Sequence, residues 1–274
     1  MLNYFSKTAI GYSHANSGKR CQDFSCSYRD EEKTIITACD GHGGKIYIRS
    51  DLGSKFASKA ALSVLSKTEN SLFYRYGKDQ IAEKIKLETL CEWNALVEKH
   101  LSYNRFTKRE TEILTDEEKR TLTLKPEKAY GTTLNGVMAL GNKLICVNIG
   151  DGGIFTLKRG SVEPVFDDGD DEPVANLTYS MCGEDAYKHI SVKILDFREY
   201  DGVIACTDGV LNPYRSLSNF TESFVKPVTL KLIAAEYGAV SDFIEKLGNK
   251  LGVGDDVSFS AIIKPELSVR RYKS

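Results

Sequence analysis

The chain has 274 residues, of which 41% are hydrophobic and 27% charged, the balance of an ordinary folded protein rather than a disordered or membrane-embedded one. Its 37 lysines and arginines nearly cancel its 38 aspartates and glutamates, so the charge does not favour nucleic acid or an anionic membrane as a partner. No signal peptide, membrane-length apolar run or Pro-, Gly- or Ser-rich linker is recognisable, and we expect one cytoplasmic domain over residues 1–274.

Short runs rich in β-branched and aromatic residues predict strands along the chain. The predicted strands are Phe24 to Tyr28, Thr34 to Cys39, Lys143 to Ile149, Val203 to Cys206 and Val257 to Ile263. Apolar residues at helical spacing predict helices at about 46–65 and 81–101, and a third that carries Ile233, Tyr237, Val240, Ile244, Leu247 and Leu251. Because the helices come in blocks, the predicted class is α+β, with antiparallel sheets and helices packed outside them.

Aspartates stand just before or just after the predicted strands. In an antiparallel sheet the start of one strand and the end of its neighbour lie at the same edge, so we expect these carboxylates to meet there. Like charges at one edge repel each other unless a cation lies among them. The strand-end aspartates are Asp23, Asp40, Asp151, Asp208, Asp255 and Asp256.

Glycines flank these aspartates in four places, which are Asp40-Gly41-His42-Gly43-Gly44, Gly150-Asp151-Gly152-Gly153, Asp208-Gly209 and Gly254-Asp255-Asp256. One Asp-Gly pair alone is typical of a tight turn. Four at strand ends favour a metal-binding edge, since glycine also lets a backbone carbonyl approach a ligand closely. Oxygen ligands suit Mg²⁺ or Mn²⁺, whereas zinc would need histidine or thiolate clusters that the four histidines and seven scattered cysteines do not form.

The same motifs resemble the type 2C metal-dependent serine/threonine protein phosphatases, and they occur in that family's order. They are Asp40-Gly41-His42-Gly43-Gly44, Gly131-Thr132-Thr133, Ile149-Gly150-Asp151-Gly152, Thr207-Asp208-Gly209 and Asp255-Asp256-Val257-Ser258. The segments Gly11-Tyr12-Ser13-His14, Cys21-Gln22-Asp23 and Asn176-Leu177-Thr178-Tyr179 resemble a compact bacterial branch of the family. The resemblance runs from about Ala9 to Ile263 and implies two packed antiparallel β-sheets flanked by helices, with a flap at about 157–200.

The resemblance also implies a ligand set for two central Mg²⁺ or Mn²⁺ ions. Asp40 would bridge the two ions, and Gly41 would contribute its backbone carbonyl. Asp208 and Asp255 would hold one ion. Asp23 matches the acidic residue that orders waters or binds the other ion.

Two further roles concern a third ion and proton transfer. Asp151 matches a family position associated with a weaker third ion. We expect His42, between two glycines of the metal loop, to be the general acid that protonates the leaving alkoxide, because its unperturbed pKa is about 6.5. The other histidines have no such context and are interpreted as structural; they are His14, His100 and His189.

Two departures from the family concern substrate contacts. The family's usual phosphate-binding arginine lies five residues before the first aspartate, whereas Arg20 lies three residues before Asp23. Arg20 is therefore either a phosphate contact or an exposed surface charge. In Gly150-Asp151-Gly152-Gly153, the arginine that commonly follows this aspartate in the family is missing.

The predicted activity is hydrolysis of phosphoserine or phosphothreonine in a protein by a metal-activated water, with a cognate kinase as counterpart. The main alternative is a phosphatase-like scaffold that binds a phosphoprotein or signalling partner without turnover. The displaced and missing arginines favour this alternative, and the complete set of carboxylates argues against it. A metal-dependent phosphodiesterase or nuclease could use similar carboxylates, but the sequence has no basic stripe for nucleic acid.

Overall fold

The computed structural model describes residues 2–166, 178–265 and 272. In these residues the chain forms two five-stranded sheets whose strand pairs are all antiparallel. The first sheet has the order β1-β10-β9-β6-β7 and the second β2-β3-β4-β5-β8. The strands are β1 (Asn3–Ala9), β2 (Phe24–Arg29), β3 (Lys33–Cys39), β4 (Leu134–Leu140), β5 (Lys143–Ile149), β6 (Gly153–Lys158), β7 (Ser161–Pro164), β8 (Ser191–Asp196), β9 (Gly202–Cys206) and β10 (Val257–Ile263).

Helices fill the connections between the strands. The α-helices are α1 (Tyr12–Ser17), α2 (Ser50–Lys67), α3 (Lys78–Tyr103), α4 (Lys108–Thr111), α5 (Asp116–Leu124), α6 (Ala186–His189), α7 (Asp208–Leu211), α8 (Leu217–Phe220), α9 (Lys226–Ile233) and α10 (Tyr237–Lys246). Short 3₁₀ helices span Asn70–Tyr74, Pro126–Tyr130 and Phe197–Glu199, and π-helical turns span Thr221–Val225 and Leu247–Leu251. None of the helices in the described part of the chain is long and apolar enough to cross a bilayer.

The two sheets face each other, and helices cover their outer faces. Every residue of β3 is buried, and successive side chains alternate between two cores. Ile35 packs with residues of α2 and α3, whereas Ile36 packs between the sheets against residues such as Val203 and Ile262. A third core joins the first sheet to α9 and α10 around Phe259. These layers confirm the predicted α+β fold of two packed antiparallel sheets flanked by helices.

The five predicted strands are confirmed to within one residue at each end. The first two predicted helices correspond to α2 and α3, although α2 begins only at Ser50, after turns at residues 44–49. The third predicted helix is wrong in its extent, because α9 ends at Ile233 and α10 begins at Tyr237. Ala235 between them adopts a left-handed φ of 58°, which interrupts the helix while the apolar face continues on the same sheet.

The predicted flap at about 157–200 begins and ends within the sheets. β7 pairs with β6 in the first sheet, and β8 pairs with β5 in the second. Between β7 and β8 the structure describes only residues 165–166 and 178–190, so Asn176 and Leu177 of the family motif lie outside the described residues. The returning segment is fixed to the rest of the molecule, since the Met181 backbone N–H donates to the Thr132 carbonyl over 2.9 Å.

Candidate metal centre

The antiparallel registers bring the strand-end aspartates to one edge of the sandwich. Phe24 at the start of β2 pairs with Cys39 at the end of β3, so Asp23 and Asp40 are neighbours across the sheet. The charge of Asp40 also interacts with those of Asp208, Asp151 and Asp255. We call these five residues the carboxylate cluster; they are Asp23, Asp40, Asp151, Asp208 and Asp255.

Asp23 and Asp40 form the buried centre of the carboxylate cluster. Asp23 is 4% exposed, and the Thr207 hydroxyl donates to its Oδ2 over 2.7 Å. Burial, together with the negative charge of Asp40, raises the Asp23 pKa well above its ordinary value. Burial and the charge of Asp208 raise the pKa of Asp40 to about 7.

The backbone of Asp40 is fixed by the Gly131-Thr132-Thr133 segment. The Asp40 carbonyl accepts hydrogen bonds from the Thr132 hydroxyl and from the Thr133 N–H, both over 2.8 Å. In return, the Asp40 N–H donates to the Thr133 hydroxyl oxygen over 3.0 Å. Both threonines are fully buried, so this segment holds the central aspartate in place without solvent competition.

Asp208 opens α7, directly after the loop that follows β9. Burial raises the Asp208 pKa, and the charge of Asp151 acts in the same direction. The Asn212 amide donates to Asp208 Oδ2 over 3.1 Å from the other end of this short helix. A partly buried carboxylate is therefore held next to other carboxylates.

Asp151 and Asp255 form the exposed rim of the carboxylate cluster. Asp151 Oδ2 accepts a hydrogen bond from the Thr178 hydroxyl over 2.6 Å, which connects it to the segment that returns from the predicted flap. Asp255 Oδ1 accepts the backbone N–H of Asp256 over 2.8 Å. In these two contacts, only one oxygen of each rim carboxylate accepts a hydrogen bond.

The Gly41-His42 turn lies against the same edge. A Cβ at position 41 would lie 2.5 Å from the Gln22 carbonyl oxygen, so only glycine fits there. The His42 N–H donates to the Gly131 carbonyl over 3.1 Å, and its ring lies edge-on to the Tyr47 ring with centroids 4.9 Å apart. Burial lowers the His42 pKa, whereas the charge of Asp151 acts in the opposite direction.

The carboxylate cluster fits divalent cations that prefer oxygen ligands. Among the residues that the structure describes, no group of three His, Cys, Asp or Glu side chains is arranged to hold a single ion. Mg²⁺ does not need such a cage, because it is commonly held by one or two carboxylates and keeps several waters. Burial and the negative charges of neighbouring aspartates raise the pKa values of Asp40 and Asp208, and a cation among these carboxylates would relieve the repulsion.

Comparison with protein families decides the identity. A family model described as Protein phosphatase 2C matches residues 10–243. The chain belongs to the protein phosphatase 2C family. It is accordingly a metal-dependent protein serine/threonine phosphatase. A comparison with curated proteins gives no match.

Solved structures share the fold of this phosphatase at low sequence identity. The S. agalactiae serine/threonine phosphatase has a TM-score of 0.62 and 16% identity, over 96% of this chain and 99% of that chain. The catalytic domain of the phosphatase PstP, in complex with two manganese ions, has a TM-score of 0.58 and 16% identity, over 96% and 97% of the two chains. Stp1 from Staphylococcus aureus has a TM-score of 0.59 and 14% identity, over 96% and 95%.

Arg20 of the phosphatase lies on the surface. Its side chain is 86% exposed, and its guanidinium pairs with the Asp51 carboxylate over 3.5 Å. The other three histidines make contacts of a structural kind. These are His14 with the Asp256 carboxylate, His100 with the Tyr130 hydroxyl, and His189 stacked on the Tyr179 ring.

Sequence reasoning missed the residues that position the carboxylates. Thr132 and Thr133 belong to a recognised motif, but their bonds to the Asp40 backbone join residues about 90 positions apart. Thr207 had no expected role either, yet its hydroxyl donates to Asp23 and accepts the Ser258 N–H over 2.9 Å. The signals in the sequence are weak: Thr207 directly precedes Asp208, whereas Thr132 and Thr133 stand beside none of the strand-end aspartates.

Proposed function

We propose that this phosphatase dephosphorylates phosphoserine and phosphothreonine proteins with two central Mg²⁺ or Mn²⁺ ions at the carboxylate cluster. The observation that carries the proposal is the burial of the Asp40 carboxyl among other carboxylates. Burial, together with the neighbouring like charges, raises the pKa of this carboxyl to about 7, so the site is electrostatically incomplete without a cation. We propose a cytoplasmic enzyme whose substrates are supplied by a cognate kinase.

The ligand assignment is the one that the family resemblance implies, and the grouping of the five carboxylates at one edge supports it. Asp40 would bridge the two ions, with the Gly41 carbonyl beside it. Asp208 and Asp255 would hold one ion, and Asp23 would order water or bind the other ion. Bound ions of this kind lower the pKa of a shared water and neutralise charge on the phosphoryl oxygens. The chain itself contributes fixed ligand positions, through the hydrogen bonds that Thr132 and Thr133 make to Asp40.

Asp151 would hold a third, weaker ion at the exposed rim. Its present partner is the Thr178 hydroxyl at 2.6 Å, on the segment that returns from the flap. A position at the rim supports a role that is separate from the two central ions. The central ligand set does not depend on it.

His42 and Arg20 would act on the substrate. His42 would protonate the serine or threonine alkoxide as it leaves; burial lowers its pKa, which makes the protonated ring a stronger acid. Arg20 would contact the phosphate, which requires its exposed guanidinium to leave Asp51. Neither role changes the metal ligands.

The test is hydrolysis of a phosphothreonine peptide and of an aryl phosphate with Mn²⁺ or Mg²⁺, with and without EDTA. We expect activity at millimolar-range metal and none with EDTA, because open oxygen-ligand sites hold these ions weakly. Full activity in EDTA would contradict the two-ion site. A protein that binds metal yet releases phosphate from no phosphopeptide would instead be a binding scaffold.

A further inference from the structure

The Asp256 carboxylate is buried beside the carboxylate cluster and accepts several hydrogen bonds. It is 3% exposed. Its Oδ1 accepts the Gly11 N–H over 2.7 Å, and its Oδ2 accepts the Gln22 N–H over 2.6 Å. The His14 Nδ1 lies 2.9 Å from the same Oδ2. One side chain thus joins the start of β10 to two segments near the beginning of the chain.

These contacts connect Asp256 to the segments that carry the proposed ligands. Gln22 precedes Asp23, and its side-chain amide donates to the His42 carbonyl over 3.1 Å. Asp255 is the other neighbour, since its carboxylate accepts the Asp256 N–H. On a third side, the Asp256 carbonyl packs so closely on Gly209, next to Asp208, that a Cβ there would lie 2.0 Å away.

We propose that Asp256 is a positioning residue that sets the spacing of the proposed metal ligands. The Gly11 to His14 and Cys21 to Gln22 segments surround its carboxylate with donors. This role rests on the proposed function, because it presupposes that the carboxylate cluster binds the ions. Partners of metal ligands commonly control metal affinity without touching the ion.

A carboxylate is required at this position because both of its oxygens accept backbone N–H groups. An asparagine would present one oxygen and one NH₂ group. Whichever way its amide is turned, the NH₂ faces the N–H of either Gly11 or Gln22. One buried backbone donor then loses its partner, and the segment that carries it has to move.

The experiment compares Asp256→Asn with wild type by calorimetric titration with MnCl₂. We expect roughly 10–100-fold weaker Mn²⁺ binding in the variant. Hydrogen exchange of the EDTA-treated proteins should show faster exchange at the amides of Gly11 and Gln22. This second measurement needs neither bound metal nor catalysis.

Asp30→Ala is the matched control. Asp30 lies in the turn between β2 and β3, at the opposite end of these strands from Asp23 and Asp40, and its Oδ1 accepts the N–H groups of Glu32 and Lys33 over 2.9 and 2.7 Å. The control therefore also removes an aspartate whose carboxylate accepts backbone N–H groups. We expect it to lower the melting temperature but to leave the Mn²⁺ affinity unchanged.

A smaller change keeps the proposal testable if Asp256→Asn does not fold. His14→Ala removes one contact and leaves both backbone bonds, and it should weaken Mn²⁺ binding severalfold. Wild-type Mn²⁺ affinity in a folded Asp256→Asn protein, or in His14→Ala where the former does not fold, overturns the positioning role. Absence of Mn²⁺ binding by wild type itself would instead overturn the proposed function, and this inference with it.

Discussion

Two groups of buried and partly buried ionisable side chains, one around Arg49 and the other the carboxylate cluster, lie near the start of α2. Their surroundings shift the pKa values of their carboxyls in opposite directions. The first surrounds Arg49, which is 5% exposed. Its guanidinium donates to both carboxylate oxygens of Glu110 over 2.7 and 3.1 Å and to the Tyr130 hydroxyl over 2.8 Å. It also donates to two backbone carbonyls and lies 4.5 Å from the centre of the Phe106 ring. Hydrogen bonding to Arg49 lowers the Glu110 pKa to about 2.

The carboxylate cluster shows the reverse. Burial and neighbouring aspartates raise the pKa values of Asp23, Asp40 and Asp208, and the charges that shift them upward are negative. The Arg49 group satisfies its own charge and hydrogen bonds, so it is a structural feature. Among the residues that the structure describes, no positive charge shifts these pKa values downward, which is the state expected of a cation site.

The largest effect should come from Asp40→Asn. This change removes the charge shared by the two proposed central ions, so we expect loss of both binuclear binding and phosphatase activity. Asp151→Ala is the matched comparison, because it removes a rim carboxylate and should keep the central ions and the fold while turnover falls. Calorimetric titration with Mn²⁺ beside a phosphopeptide assay measures both. Equal loss of central metal in the two variants would refute the peripheral position of Asp151.

Asp40→Asn should also change the stability of the metal-free protein. The folded-state pKa of Asp40 is raised from 3.8 to about 7, so its ionisation costs stability as the pH rises across that interval. Asparagine does not ionise. In EDTA, the free energy of unfolding of Asp40→Asn should therefore fall less than that of wild type between pH 4 and pH 7. If the unfolding free energies of the two proteins changed in parallel with pH, ionisation of Asp40 would have no cost in stability.

His42→Ala should have the next largest effect. We expect turnover of phosphothreonine peptides to fall roughly 10²–10⁴-fold, because a poor leaving group needs a proton from a general acid. Aryl phosphates, whose leaving groups need less protonation, should lose less, and Mn²⁺ affinity should be nearly unchanged. Steady-state kinetics on both substrates measure the difference. An equal loss on both would argue against the acid role and for a contribution to the shape of the loop.

The sequence predicted the architecture well where local pattern and long-range contact agree. The strands β3 and β10 are short β-rich runs bounded by aspartates, and the antiparallel registers then bring those aspartates together. β4 was not predicted, because Leu134–Leu140 is buried throughout and contains Gly136, so it shows no alternation. α5 was missed for the opposite reason, since Leu122 is its only buried residue and the helix has almost no apolar face.

The parts of the site that could not be predicted depend on contacts between distant residues. The bond from Gly11 to Asp256 joins positions 245 residues apart, and no local periodicity encodes it. Arg20 shows the same limit, because spacing along the chain left open whether it faces phosphate, and the fold directs it toward Asp51 at the start of α2. Residue types indicate chemistry, but the direction of a side chain depends on the packed structure around it.

Arg49→Met should destabilise the fold while leaving the metal site intact. The change removes the Arg49 hydrogen bonds to Glu110, the Tyr130 hydroxyl and two carbonyls, and it leaves the Glu110 charge without its cation, which should cost roughly 3 kcal/mol of unfolding free energy. Lys84→Met is the matched control, since Lys84 pairs with Glu88 on the exposed face of α3, and it should cost about 0.5 kcal/mol or less. Denaturant unfolding in EDTA and Mn²⁺ titration separate the two effects. A large drop in Mn²⁺ affinity for Arg49→Met would mean that the two groups are coupled.

The smallest predicted effect concerns acid, to which the two groups should respond with opposite signs. The folded-state pKa of Glu110 is lowered from 4.5 to about 2, so its contribution is complete above pH 4.5 and disappears as the pH falls through about 2. Because Glu110 is partly exposed, we expect on the order of 2 kcal/mol. Denaturant unfolding of wild type and Glu110→Gln in EDTA should show a stability difference that is constant above pH 5 and shrinks towards pH 2. Acid relieves repulsion in the carboxylate cluster over a higher pH range, so only this difference between variants isolates the ion pair. A difference that persists unchanged at pH 2 would mean that Glu110 contributes through packing or neutral hydrogen bonds rather than through its charge.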